Sequence, residues 1–371
     1  MRRKKIRLRR RGHHPDYLIL SCFALLVIFG LVMLASASSD LGKIQFGDTY
    51  FYLKHQIIYG FSFGLIGFFL TSKIYYGRWE KISLWLLLFS IFLLALVFTP
   101  LGTAAKGSSR WLAFGPITFQ PSEILKFTFI VYLAAWLGRK TERQKKLGKG
   151  FLPFLTVTGV IALLLLKQPA TSITAILIAT AVIVYFISGA KLRYIASAGF
   201  LLTVIFMLVI YFTPYRLERI LAYLNPETNL ETSGFHLNQA RIAIGSGRLI
   251  GVGYGKSTTK ISYLPEPIGD SIFAVIAEEL GFIGVSVLIF VFFLLVLRIF
   301  LIAKNYRDKF GQLLLFGFGA LLTLQVAAHI GSISGILPLT GTPLPFISFG
   351  GTALAVFMTI SGMIVNISKY S

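Results

Sequence analysis

The chain has 371 residues, of which 56% are hydrophobic and only 13% charged, with a formal net charge of +22 and a mean hydropathy of +0.77. A soluble globular chain carries about 25% charge, so this one cannot cover a water-facing surface and is not a set of soluble domains. The single cysteine, Cys22, excludes an internal disulfide framework and a cysteine-cluster metal site, and reads as a small apolar residue inside a helix.

The first 16 residues hold eight Lys and Arg. An apolar run of about 18 residues follows from Tyr17, too long for the core of a cleaved leader, so it reads as a retained spanning helix despite Ala35-Ser36-Ala37 at its end. A helix crosses a bilayer with about 20 apolar residues. Ten segments meet that length approximately: 17–37, 55–71, 82–99, 122–138, 151–167, 171–188, 192–213, 271–303, 311–336 and 346–368. The predicted fold is an all-α polytopic membrane protein of about ten helices. A basic tail over 1–16 precedes a single transmembrane domain over 17–371, with a large outer loop over 214–270 between the seventh and eighth helices. The eighth run is too long for one perpendicular helix and should tilt or protrude.

Charge fixes the orientation. With the N-terminus inside, 24 of the 36 Lys and Arg residues fall on cytoplasmic segments, as the positive-inside rule demands. Both termini are then cytoplasmic. The basic tail holds orientation and touches anionic lipid, and nucleic acid is not a partner.

Ionisable residues in or beside spanning helices are costly and point to function. They cluster toward the outer leaflet rather than the midplane where coupled transporters bind. In Gln120-Pro121-Ser122-Glu123-Ile124-Leu125-Lys126, proline starts a helix, and Glu123 and Lys126 share a face three residues apart. Either they form an ion pair that fixes the helix, or they hold a cation at a helix start where phosphate binds. Upstream, Lys106-Gly107-Ser108-Ser109-Arg110-Trp111 adds two cations and an aromatic that suits the interfacial belt. Further on, two prolines and a glycine deliver Asp270 to a helix start, as a cap or as a general base. On a straight helix Glu278 lies about 80° around from Asp270 and could line the same cleft, while Glu279 points away and pairs elsewhere. The stretch 337–352, interrupted by three prolines and holding Ser348, is either a rigid turn or the wall of a polar cavity.

Together these stretches resemble the SEDS family (shape, elongation, division and sporulation), more its FtsW than its RodA branch. The likeness is carried by Arg110-Trp111 through Gln120-Pro121-Ser122-Glu123 and Lys126, by Tyr215–Ile220, and by Gly245-Ser246-Gly247 with Gly251-Val252-Gly253. It extends through Leu264-Pro265-Glu266, Asp270 with Phe273-Ala274-Val275, Glu278-Glu279-Leu280-Gly281, and Leu344–Ser348. Five positions depart from the family pattern: Ala170 where Asp is usual, Ile268-Gly269 where His-Thr is usual, Arg248 in place of a second Gly, and His329 where Asn is common.

The resemblance implies an enzyme, a peptidoglycan glycosyltransferase that polymerises lipid II at the outer face of the bacterial cytoplasmic membrane. Septal synthesis in division is the expected role, with a RodA-like elongation polymerase, a lipid II flippase and a recruiting scaffold as alternatives. Asp270 would be the catalytic base or a metal ligand. Lys126, Arg110, Glu123, Ser122 and Gln120 would bind substrate pyrophosphate, supported by Glu266, Glu278 and Ser348. No cofactor is certain, and a divalent cation, Mg²⁺ or Mn²⁺, is an option. Implied partners are lipid II, a class B penicillin-binding protein, other divisome or elongasome membrane proteins, and membrane lipids.

Overall fold

A computed structural model describes residues 13–105, 108–115, 117–139, 143–224 and 233–371. The basic residues of the tail from Arg2 to Arg11, and Lys106, lie outside the described residues.

The ten expected spans are all present as helices: α1 (Tyr17–Phe46), α2 (Phe51–Lys73), α3 (Tyr76–Leu96), α4 (Pro121–Gly138), α5 (Leu147–Lys167), α6 (Thr171–Ile187) and α7 (Leu192–Tyr211). In the 214–270 segment follow α8 (Pro214–Leu224) and α9 (Ser233–Ser246), then come α10 (Ile272–Asn305), α11 (Lys309–Ile333) and α12 (Gly351–Ser368). Eight of these are long and apolar enough to cross a membrane; α6 is apolar but shorter, and α4 carries Glu123 and Lys126 in its first turns. The chain also contains a small antiparallel sheet that hydropathy did not reveal. Its strands, β1 (Gly102–Ala105), β2 (Ser108–Phe114) and β3 (Ile117–Phe119), lie in that order between α3 and α4.

α1 starts on Asp16, whose carboxylate accepts from the Ile19 N–H, and stops at Gly47 in the left-handed region. It runs past its apolar stretch to Phe46, with Lys43 and Gln45 exposed. Ser36 and Ser38 are buried; the Ser36 hydroxyl donates to Glu279 and its carbonyl accepts from Lys260. The two ends of the described chain meet, since the His13 N–H donates to Lys369 O and Asp16 bonds both Ser368 and Arg298. Sheet, α8 and α9 belong to the opposite end of the bundle.

The centre of the bundle is α4, α11 and α12, whose residues are mostly buried. α2 lies against α12 along small residues. A Cβ on Gly362 would sit 2.3 Å from Phe68 O, so only hydrogen allows the backbones to meet. The outward faces of α3 and α10 expose rings such as Trp85, Phe89, Phe282 and Phe293, as lipid contact requires.

The long eighth run is not a single straight rod. It breaks at Gly281, which adopts φ 65° and ψ −169°. The freed backbone groups are satisfied by the segment 247–253, which inserts at the break. Phe282 N–H and Ile283 N–H donate to Arg248 O and Leu249 O, while Val252 N–H and Gly253 N–H donate to Glu278 O and Glu279 O. Gly247 and Gly251 thereby acquire a reason, because a Cβ on Gly247 would lie 1.9 Å from Ala277 O and one on Gly251 2.1 Å from Glu279 O. Gly281→Ala is expected to cost about 1–3 kcal/mol through overpacking and left-handed strain. A lowered thermal midpoint in detergent and a smaller monodisperse yield would show it; an unchanged midpoint would not fit this packing.

Candidate active site

A cavity of about 1090 Å³ opens at the end of the bundle that carries the sheet. Its polar wall comes from loops: Arg110, Trp111 and Gln120 around the sheet, Glu266 to Asp270 before α10, and Gly341 and Pro343 after α11. Its apolar wall runs down α2 and α12 through Phe63, Val356 and Thr359. Phe63 on this wall is 49% exposed.

The turn bearing Asp270 is held by backbone. Glu266 takes the left-handed region at φ 51°, uncommon for a side-chain-bearing residue. This aims its carbonyl at the N–H groups of Gly269 and Ser271, each 3.1 Å away. From the other side the turn after α11 grips it: Phe349 N–H donates to Ile268 O at 2.8 Å, and Ser348 Oγ donates to Gly269 O at 2.8 Å. Gly341 faces the carboxylate, and a Cβ there would lie 3.2 Å from Asp270 Oδ2 and 4.0 Å from Arg219 Nη1. Gly341 also adopts φ 63°. Gly341→Val is therefore expected to crowd Asp270 and reduce turnover about tenfold or more, as small misplacements of reacting groups do. Turnover within twofold of the parent protein would contradict this.

Of the expected site residues, Asp270, Glu266, Arg110 and Gln120 line the cavity, and Ser348 supports its floor. Arg110 is oriented by the turn between α5 and α6, where Nε donates to Gln168 O at 3.0 Å and Nη2 to Pro169 O at 2.7 Å. The Ala170 departure sits beside this anchor and uses its carbonyl to receive Thr174.

Three expectations require correction. Lys126 does not reach the cavity to hold phosphate. Its ammonium donates to Glu123 Oε1 and Oε2 at 2.7 and 2.8 Å and to Gln325 Oε1 at 2.9 Å, and lies over the Phe357 ring. Its three N–H bonds are thus all used, and both Lys126 and Glu123 are 1% exposed. Gln325 passes the connection on, because its Nε2 donates to Pro343 O. The buried pair therefore braces the cavity wall from behind. Ser122 likewise faces the interior, and its buried hydroxyl has no hydrogen-bond partner among the described residues. Glu278 does not line the cleft either. Ser257, Thr258 and Thr259 capture its carboxylate, with Ser257 Oγ at 2.6 Å and Thr258 N at 3.1 Å. Glu279 does pair elsewhere: Lys260 Nζ lies 2.9 Å from it, and Ser36 donates to both its oxygens.

The sequence reading missed the contribution of α1 and α2. Gln45, Tyr52, His55 and Tyr59 all line the cavity. Next to them Gln56, 1% exposed, accepts from Gly350 N–H and opens a π-helical stretch over Gln56–Phe61, a distortion common at functional sites. The signal was present, since a histidine and a glutamine open an otherwise apolar run. Arg219, beside Gly341, was also missed, although its stretch carried the family likeness.

A family model described as cell cycle protein, for FtsW, RodA and SpoVE, matches residues 16–371. A "Probable peptidoglycan glycosyltransferase FtsW" of Geobacter sulfurreducens is 39% identical over 355 residues, 95% of each chain. "Stage V sporulation protein E" of Bacillus subtilis is 34% identical over 358 residues, 96% of this chain and 98% of that one. A chain from a structure described as coordination of polymerization and crosslinking by a peptidoglycan synthase complex superposes with a TM-score of 0.80 at 26% identity, covering 96% and 98% of the two chains. The crystal structure of Thermus thermophilus rod shape determining protein RodA gives a TM-score of 0.70 at 25% identity, covering 95% and 96%.

Proposed function

The chain belongs to the FtsW/RodA/SpoVE family of cell cycle proteins, and from that premise we propose that it is a peptidoglycan glycosyltransferase that polymerises lipid II for septal wall synthesis. The observation that carries this reading is the make-up of the cavity around Asp270: polar at one end and apolar along two spanning helices. Such a cavity suits a substrate with a sugar head, a pyrophosphate and a long lipid tail.

In the reaction the acceptor 4-hydroxyl oxygen bonds to the anomeric carbon of the donor, and the bond from that carbon to the pyrophosphate breaks. Asp270 takes the hydroxyl proton. The lipid pyrophosphate leaves as an anion, so no protonated acid is needed beside it. Arg110, aimed by the 168–169 carbonyls, meets the charge that develops there. Gln120 and Ser348 hold the polar wall, the first at the cavity and the second through Gly269. Among the described residues no cluster of three metal-ligating side chains occurs. The carboxylates on the described wall, Asp270 and Glu266, fit a divalent cation that takes one or two carboxylates and completes its shell with substrate phosphates. Bound there, Mg²⁺ or Mn²⁺ would neutralise pyrophosphate charge.

The reading places the cavity at the outer face of the cytoplasmic membrane and both chain ends inside, as the basic segments indicate. A class B penicillin-binding protein is the proposed partner, with other divisome proteins. The test is the purified chain with lipid II, alone and with that transpeptidase. Glycan polymer in either arm supports the reading. Translocation of lipid II across sealed vesicles without polymer would overturn it in favour of a flippase.

A further inference from the structure

The outer helix α9 sends one side chain to the base of the Asp270 turn. His236 Nε2 lies 2.6 Å from Ser271 Oγ, and Ser271 Oγ donates to Pro265 O at 2.7 Å. Ser271 follows Asp270 directly, stands at the N-cap position of α10 without a side-chain capping bond, and is fully buried. A carbonyl oxygen only accepts, so the single hydroxyl proton of Ser271 is committed to Pro265. The imidazole must then bring the N–H of this contact. Burial, reinforced by the nearby Arg219 guanidinium, pushes the His236 pKa down to about 4, which keeps the ring neutral.

The turn from Pro265 to Ser271 is gripped by Ser348 and Phe349, and the His236–Ser271–Pro265 chain ties it to α9. We infer that His236 is a positioning residue for glycosyl transfer: its Nε2–H locks Ser271 onto Pro265 and so sets the angle at which Asp270 enters the cavity. The inference rests on the glycosyltransferase reading and adds to it a residue that touches no substrate. It predicts an effect on turnover rather than on substrate binding, because misaligned reacting groups lose rate.

The experiment uses the full-length protein with its transpeptidase and compares His236→Ala, His236→Gln, Ser271→Ala and the His236→Ala/Ser271→Ala double variant, with Asp270→Asn alongside. His236→Ala is expected to lower kcat about tenfold with KM within about twofold. His236→Gln, whose amide N–H reaches near the Nε2 position, should recover at least about a third of the wild-type kcat. Ser271→Ala should match His236→Ala, and the double variant should be no worse than either single, as for two members of one chain. A glutamine variant as impaired as the alanine variant, multiplying losses in the double variant, or a raised KM at unchanged kcat would each overturn the inference. Full activity of His236→Ala beside an inactive Asp270→Asn would refute His236 alone; an active Asp270→Asn would refute the site reading and the inference with it.

Discussion

Lys126→Met is expected to destabilise the protein by about 3–5 kcal/mol, because it strands a carboxylate in the interior. Glu123 is 1% exposed, and its oxygens lie 2.7 and 2.8 Å from the ammonium that the substitution removes. The loss also unties Gln325, which links Lys126 to Pro343 on the cavity wall. A buried pair replaced on both sides is far less costly than one half removed. The Glu123→Gln/Lys126→Met double variant should therefore regain most of the thermal midpoint and a substantial part of the polymerising activity. Thermal unfolding in detergent and a polymerisation assay on the same samples would check both. A double variant that is stable yet inactive would return Lys126 to direct phosphate binding and contradict the bracing role.

What the sequence made legible was whatever depends on local composition. Ten apolar runs became ten helices because span length follows from bilayer thickness. The Glu123–Lys126 pairing was visible in its i,i+3 spacing, and the divergence of Glu279 from Asp270 in helical geometry. Partners far along the chain were not visible. Nothing near Lys126 announced Gln325, so the ammonium read as available when its donors were already taken. Glu278 was placed by an ideal helix, which cannot know that Ser257 to Thr259 fold back onto it. Between its two glutamates and Arg298 the run 271–303 holds no charge, so the break at Gly281 left no mark in hydropathy; the insertion that satisfies it comes from the segment 247–253. The three short strands escaped for a related reason, as a sheet of so few residues has no periodicity to read. The cavity itself is assembled from several separate stretches of chain, and those on α1 and α2 drew no notice.

Asp270→Asn should leave the fold intact. The turn that carries it is fixed by backbone bonds to Glu266 and by the grip of Ser348 and Phe349, all of which an amide of the same shape preserves. Substrate contacts through Arg110 and the apolar wall also remain. What disappears is the capacity to accept the acceptor's proton, a contribution of about 10²–10⁴-fold in rate, so kcat is expected to fall by that factor with KM little changed. The decisive measurement is glycan formation from lipid II by wild-type and Asp270→Asn proteins, each with the transpeptidase and matched for folded amount. The wild type should yield a ladder of polymer and the variant essentially none. Ladders of equal yield from both would contradict the assignment of Asp270 as the base.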